Sequence, residues 1–480
     1  MAPAGREVPF RRTKIVATLG PRSATREAIA GLLESGADVF RLNFSHGTAD
    51  EHAERARTIR ELEREHPFPV GIVQDLQGPK LRIGRFAGTG GVTLETGAPF
   101  SLTRDPAPGD ARRVSLPHDE LLRAALPGHR IRLRDGLVEL VVRKVTRDSI
   151  DAEVTDGGEL TDLAGVNVPD TPLSLPALTP KDESDVVAGA RMGFDWVALS
   201  FVRKPDDLRE ARARLRAAGS EAALMAKIER PEAVRRFDEI LAEADGIMVA
   251  RGDLGVEMAP EEVPMIQKRI IRACIEAGKP VVTATQMLQS MIDSPRPTRA
   301  EASDVANAIC DGSDAIMLSG ETAVGRFPVE SVRMMDRIAS EVERSPDASS
   351  FRRLAREDAA SVPDAVCRSA AELSQILGAA VIAAFTASGA TAGRIARHRP
   401  TSRIVALTPS RAVARRLALH WGVHPLCAPD PEHFDALVEA ARERLSAAGL
   451  ARRGDRVVLV SGVPFGVAGS TNALRVETIA

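Results

Sequence analysis

The chain has 480 residues, of which 44% are hydrophobic and 27% charged; that length suggests roughly two to four domains with cores large enough to need no covalent staples. Its formal net charge of −2 excludes the global basic field that recruits nucleic acid or anionic membranes, and 3% aromatics with no Tyr leave few platforms for stacking bases. Cys274, Cys310, Cys367 and Cys427 are far apart with no C-x-x-C pair, so they read as buried small hydrophobes rather than a disulfide framework or zinc site.

The first residues, MAPAGREVPFRRTK, hold no apolar core of signal-peptide length, and no apolar run reaches membrane-spanning length, so a cytoplasmic enzyme is expected. Eight strand-like runs then follow: KIVATLG, DVFRLNFS, VGIVQDL, DWVALSF, AALMAKIE, DGIMVARGD, PVVTATQ and DAIMLSGE. Helix-compatible stretches follow most of them. This alternation predicts a parallel sheet, and eight repeats predict a closed (β/α)8 barrel.

From about Lys80 to Thr171 helical spacing disappears, and short Val- and Ile-rich segments such as HRIRLRDGLVELVVRKV are separated by Gly, Pro and Asp. That interval predicts an all-β domain inserted after the third barrel strand. Past about Asp347, AVIAAFTASG, RIVALTPS and RVVLVSGVPFG predict a C-terminal α/β domain with its own parallel sheet. The expected boundaries are barrel 1–79, insertion 80–171, barrel 172–346 and C-terminal domain 347–480. Trp196 and Trp421 read as packing, and FRRLARED as a solvated helix face.

Chemistry in such a barrel sits at the C-terminal strand ends. Polar residues recur there at i, i+2 spacing: Arg41, Asn43 and Ser45; Lys227 and Glu229; Arg251 and Asp253; Thr283 and Thr285; Ser319 and Glu321. Alternate strand residues share a face. One such pair would be an ordinary salt bridge at the barrel mouth; five sets point to ligands or metals. Glu229 and Asp253 are hard oxygen ligands of the kind Mg²⁺ takes, leaving room for water and substrate oxygens. Lys227 and Arg41 suit a transferring phosphoryl group. In RGDLG, Gly252 permits close backbone approach, and free N–H groups at the start of a following helix would take a substrate carboxylate. No His or Cys stands as a nucleophile, so metal-assisted phosphoryl transfer without a covalent intermediate is expected.

The segments KIVATLGP, RLNFSHG, DLQGPKLRIG, GVNVPD, SFVRK, KIERPEA, GIMVARGDLGVE, TATQMLQSMI, PRPTRAEASDVANAI and DGSDAIMLSGETAVG stand in order along the chain. Over nearly its whole length it therefore resembles the pyruvate kinase family. The resemblance implies a barrel A domain, a mobile all-β B-domain lid and an α/β C domain. It implies phosphoryl transfer from phosphoenolpyruvate to ADP, giving pyruvate and ATP, with Mg²⁺ (Mn²⁺ able to replace it) held by Glu229 and Asp253. Arg41 resembles the substrate-phosphate arginine, and Lys227 the lysine that stabilises the phosphoryl group and enolate. Gly252, Asp253 and Thr285 resemble the substrate-carboxylate and metal pocket, and Ser319 and Glu321 residues implicated in delivering the proton. Asn43, Ser45, Asp75 and Arg82 fall on the nucleotide and cation side. His46 stands among them, although a structural partner is its more ordinary role.

The loop TASGAT, with Thr386, Ser388, Gly389 and Thr391, resembles the family's sugar-phosphate loop, implying a phosphorylated effector; a homotetramer is also implied. In two places the chain departs from the common pattern. Ala164 stands where a Lys often precedes G-V-N. Leu76 and Lys80 replace a Thr and a Glu near a monovalent-cation site whose other ligands correspond to Asn43, Ser45 and Asp75; this marks the branch that does not require K⁺. Two alternatives stay open at this point: another phosphoenolpyruvate- or pyruvate-handling Mg²⁺ barrel, such as a lyase or aldolase, and a catalytically silent metabolite sensor.

Overall fold

The computed structural model describes residues 11–88, 90–173, 175–345, 361–465 and 469–479. The expected boundary near Asp347 and the run FRRLARED lie outside the described residues.

All eight expected runs form strands: Lys14–Leu19, Val39–Asn43, Gly71–Asp75, Trp196–Leu199, Ala223–Ile228, Gly246–Ala250, Val281–Ala284 and Ala315–Leu318. They pair in parallel around a closed ring, the first against the last with Lys14 opposite Ala315. Both faces of such strands are buried, which is why they read as continuous Val, Ile, Ala and Met runs. One set of alternate residues, including Val16, Val73, Trp196, Met225, Met248, Val282 and Met317, fills the barrel interior. The other set packs outward on the surrounding helices. With few aromatics available, aliphatic and thioether side chains supply nearly all of this volume.

The insertion leaves the barrel after Asp75 and returns before Trp196. It contains a six-stranded and a two-stranded sheet around its own core, which includes Phe100, Leu102, Leu140 and Ile150. One short helix, Asp119–Ala124, departs from the all-β expectation. It buries Leu121 and Leu122 against that core.

The C-terminal sheet has five strands in the order Val423–Cys427, Arg403–Thr408, Val381–Phe385, Arg456–Gly462 and Thr471–Thr478. Two of these lie beyond the sequence reading, and the last is antiparallel, so the sheet is mixed. This unit closes the floor of the barrel: its Ala418 and Leu419 join the barrel's interior cluster. The Trp196 indole N–H donates to the Arg416 carbonyl at 3.2 Å, and buried Arg399 pairs with Asp314 at 3.1 Å. The Arg399 guanidinium also lies over the Trp421 ring, 4.8 Å from its centroid. Both tryptophans are therefore packing residues that join the two units. Cys427, expected in a core, is exposed; Cys274 and Cys367 are buried.

Candidate active site

The third and fifth barrel strands end in the centre of the site. Asp75 is the last residue of the third strand and is buried. One of its oxygens accepts Arg41 Nε at 2.6 Å and the other lies 3.2 Å from Lys227 Nζ. Arg41 also donates to Thr18 Oγ1 at 3.1 Å. Burial tends to raise the Asp75 pKa, but Lys227 and Arg41 outweigh it and hold the carboxyl below its ordinary range. A carboxylate placed between the two cations fixes both without neutralising their combined charge.

Lys227 Nζ donates to Ser200 Oγ at 2.7 Å and lies 2.8 Å from Glu229 Oε1. Burial opposes its charge; Asp75, Glu229 and Asp253 override that and raise its pKa, so Lys227 is a fixed cation. Glu229 follows the fifth strand, and its Oε2 accepts the Phe201 N–H at 2.8 Å. Its Oε1 is buried and has no hydrogen bond in a suitable direction, despite the ionic contact with Lys227. Burial raises the Glu229 pKa, Lys227 opposes that, and Asp253 adds to it. Asp253 is half-buried and has no hydrogen bond or ion pair to a described residue. A buried carboxylate oxygen whose one contact is ionic, and a second carboxylate without a hydrogen bond or ion pair, whose charges act on each other, fit a hard divalent cation. Among the described residues no set of three or more His, Cys, Asp or Glu side chains has metal-binding geometry, so remaining ligands would come from water or substrate.

The strand-face reading of Arg251 and Asp253 is corrected. The sixth strand ends at Ala250, and both residues lie on the helix Arg251–Glu257. Arg251 makes no hydrogen bond or ion pair with Asp75, Lys227 or Glu229. It forms a two-pronged pair with Asp304, both contacts at 2.7 Å, and donates to the Thr285 carbonyl at 2.8 Å. That clamp supports an unusual backbone: Thr285 has φ +71 and Gln286 φ +55. Positive φ at a β-branched residue is sterically costly, and such conformations concentrate at functional sites. The Gly252 N–H, expected to be free, donates to Thr285 Oγ1 at 2.7 Å.

Ser319 and Glu321 also lie beyond their strand, at the start of the helix Gly320–Ala323. Glu321 is fully buried and accepts the N–H groups of Ser319 at 2.7 Å and Leu288 at 3.0 Å. In this geometry it braces the loop, whereas Ser319 Oγ is buried without a hydrogen bond. Thr283 points into the fold, bonded to Ser313 at 2.7 Å.

On the opposite wall, Asn43 Oδ1 accepts the Ser45 N–H at 3.1 Å. His46 is exposed; partial burial and then the charges of Arg82, Arg41 and Lys80 lower its pKa. Arg82 bonds the Leu163 carbonyl at the lid base at 2.9 Å. Lys80 Nζ lies 3.7 Å from Asp135, while Leu76 and Ala164 are buried in the barrel and lid cores. In the C-terminal unit, Thr386, Ser388 and Thr391 line a cleft with Asp430, Ser461 and Ser470. Gly389, at φ +94, donates its N–H to Thr386 Oγ1 at 2.9 Å.

Ser200, Asp304 and Thr18 are site supports that the sequence reading did not assign. Ser200 had a signal, since it is the first polar residue after the fourth strand. Asp304 lies 53 positions from Arg251, and only the fold brings the two together.

Residues 10–332 match the family model described as pyruvate kinase, barrel domain, and residues 364–477 that of pyruvate kinase, alpha/beta domain. The chain is 49% identical to a pyruvate kinase of Methylorubrum extorquens, covering 98% of each chain. It is 47% identical to one of Agrobacterium vitis over 98% of this chain and 97% of that protein. It is 43% identical to one of Geobacillus stearothermophilus, covering 98% of this chain and 80% of the relative.

Proposed function

The chain belongs to the pyruvate kinase family, and its activity is phosphoryl transfer between phosphoenolpyruvate and ADP; from that premise we propose which of its residues carry each part of the reaction. Neither a lyase or aldolase nor a silent sensor is favoured by these relatives.

Lys227 and Arg41, both anchored on Asp75, bind the phosphoryl group. Bonding between phosphorus and the enol oxygen is lost as the ADP oxygen takes the group. Negative charge then develops on the enolate, which Lys227 stabilises as a cation already in place. Mg²⁺ held by Glu229 and Asp253 would supply further neutralisation of phosphoryl and enolate oxygens. Gly252, Asp253 and Thr285 form the side that receives the substrate carboxylate. Protonation of the enolate carbon completes pyruvate, and the buried, unbonded Ser319 hydroxyl lies on the loop assigned to that step. Asn43, Ser45, His46 and Arg82 face the nucleotide, and the lid excludes water that would otherwise compete with ADP.

The observation that carries this reading is the environment of Lys227, with Ser200 at 2.7 Å, Glu229 at 2.8 Å and Asp75 at 3.2 Å around one buried ammonium. The test is ATP formation from phosphoenolpyruvate and ADP, titrated with Mg²⁺ and Mn²⁺ after chelation. Turnover that persists in chelator overturns the metal assignment. A homotetramer and a phosphorylated effector at the Thr386–Thr391 loop belong to the same proposal; light scattering checks the first.

A further inference from the structure

The lid touches the barrel through the helix that carries Asp253. On the lid side, buried Asn167 donates its Nδ2 to Glu257 Oε1 at 2.6 Å, and Arg132 donates to the Val256 carbonyl at 2.5 Å. On the barrel side, the same Glu257 oxygen accepts Arg230 at 2.8 Å. Arg230 is the chain neighbour of Glu229, and its guanidinium lies over the Phe201 ring, 5.3 Å from the centroid. Phe201 in turn donates its N–H to Glu229 Oε2.

The first lid hinge reaches the same ring. Gly78, at φ +67, has no room for a side chain, since a Cβ there would lie 2.7 Å from a Phe201 ring carbon. The return segment is tied down where Arg203, two residues after Phe201, donates to the Leu173 and Leu175 carbonyls. The first hinge meets Phe201, the second is tied to Arg203 two residues further on, and the docking contact runs through Glu257 to Arg230, the chain neighbour of Glu229.

We propose that Asn167, Glu257 and Arg230 form a latch that holds the lid docked and couples its position to the orientation of Glu229. They are positioning residues, since none meets the reacting atoms. One buried carboxylate oxygen shared between a lid donor and a barrel donor suits this task. When the lid lifts, Glu257 loses a charge-assisted bond, Arg230 keeps an altered partner, and Phe201 and Glu229 are released from one fixed arrangement. The coupling to Glu229 rests on its reading as a metal ligand; the latch itself does not.

The experiment therefore has two readouts on the full chain. The first is hydrogen exchange without metal. Asn167→Ala removes only the lid donor and should raise exchange at least about tenfold in residues 130–134 and 251–257, the low end of the worth of a hydrogen bond to a charged group. The C-terminal sheet should be unaffected. The second is Mn²⁺ affinity of the substrate-free protein by water-proton relaxation, expected to weaken several-fold in Asn167→Ala although Asn167 is no ligand. Glu257→Gln, nearly isosteric, should reproduce both effects and decides the matter if Asn167→Ala lowers the melting temperature of the whole chain. Unchanged exchange in both variants overturns the latch. Raised exchange with unchanged Mn²⁺ affinity overturns the coupling. Undiminished Mn²⁺ binding in Glu229→Gln would instead remove the metal-ligand reading and leave the latch standing on the exchange data.

Discussion

Glu229 Oε1 lies 2.8 Å from Lys227 Nζ, yet no described residue gives that oxygen a properly directed hydrogen bond. A buried carboxylate oxygen without a hydrogen bond is costly in a structure that serves only itself. The proposed divalent cation would give that oxygen a partner, and the Lys227 ammonium limits the cost in its absence. Lys227 and Glu229 thus compensate one another within a strand end that must carry both charges.

Replacing Lys227 with Met should remove the cation while keeping most of the side-chain volume. Loss of one preorganised charge against a transferring phosphoryl group is worth several kcal/mol of barrier, so turnover should fall roughly 10³-fold or more. Circular dichroism should show an unaltered fold. Near-normal turnover would mean that Arg41 or another cation carries the role.

Asp253→Ala should leave Glu229 as the only protein carboxylate for the metal. Activity should then vanish or require far higher Mg²⁺, measured as the half-saturating concentration in the coupled assay. Because Asp253 has no hydrogen bond or ion pair to a described residue, its loss should cost little thermal stability. An unchanged Mg²⁺ dependence would count decisively against the assignment.

The tether between barrel and C-terminal unit predicts an acid dependence. Glu63 is buried and accepts three hydrogen bonds from Arg415, at 2.9 Å, 3.1 Å and 2.5 Å. Burial alone would raise its pKa, but the bonds and charge of Arg415 lower it below the ordinary carboxylate value. A depressed carboxylate stabilises the fold fully above its unfolded pKa of about 4.3, and that contribution is lost as pH falls through the lower folded value. Arg415→Met should remove the directed bonds to Glu63 and destabilise the chain near neutrality by less than the roughly 3–5 kcal/mol of a fully broken buried pair, because Arg60 and Arg411 still lie 3.7 Å and 3.8 Å from that carboxylate. The deficit relative to the parent should shrink below about pH 4, where the carboxyl protonates in the unfolded chain. Denaturant melts across that range test both statements.

The barrel was legible because eight buried parallel strands leave a plain signal of short apolar runs, and because the charged residues gather toward the C-terminal ends of several of those runs. The i, i+2 spacing singled out these residues on a geometry that holds for only some of them. Arg41 and Asn43 do share a strand, and Lys227 directly precedes the strand's last residue, but Asp253, Thr285, Ser319 and Glu321 lie past the strands in loops and short helices. The residues that sequence reading left out act over long chain separations, such as Asp304 on Arg251 and Asn167 on Glu257, 90 positions apart. Pairing of that kind has no local period. The antiparallel strand Thr471–Thr478 escaped for another reason: its half-exposed edge pattern lacks the continuous apolar run of its neighbours.

If the C-terminal cleft takes the proposed effector, its lining predicts a ligand with one phosphate. Thr386, Ser388, Thr391, Ser461 and Ser470 offer hydroxyls, and no Lys or Arg stands among the described lining residues, while Asp430 brings a carboxylate. Two phosphates carry charge that such a lining would not balance. Activation at subsaturating phosphoenolpyruvate should therefore come from a sugar monophosphate or AMP more strongly than from a sugar bisphosphate. Ser388→Ala should weaken it without altering unactivated turnover. No response to any of these metabolites sinks the effector reading.

Activity should not require K⁺. A monovalent cation between nucleotide and substrate phosphates needs hard oxygen ligands, and here Leu76 is a buried core residue with none to offer. Lys80 places an ammonium in the same region, where a Glu stands in K⁺-dependent relatives, a local change of two charge units. It is held there: its Nζ lies 3.7 Å from Asp135, and its aliphatic stem packs on Gly165, where a Cβ would come within 3.1 Å of Lys80 Cε. The charges of Arg82 and Arg41 also act at His46, beside that of Lys80, and add to the repulsion a monovalent cation would meet here. The Lys80 ammonium can itself meet the phosphates as a compact point charge. The assay replaces K⁺ with tetramethylammonium or Na⁺ at matched ionic strength, and turnover should be unchanged within about a factor of two, a difference of only a few tenths of a kcal/mol in barrier. Strong activation by K⁺ would overturn the assignment. Lys80→Glu should lose most activity without K⁺, and restoration by K⁺ should be incomplete, because Leu76 still supplies no ligand oxygen.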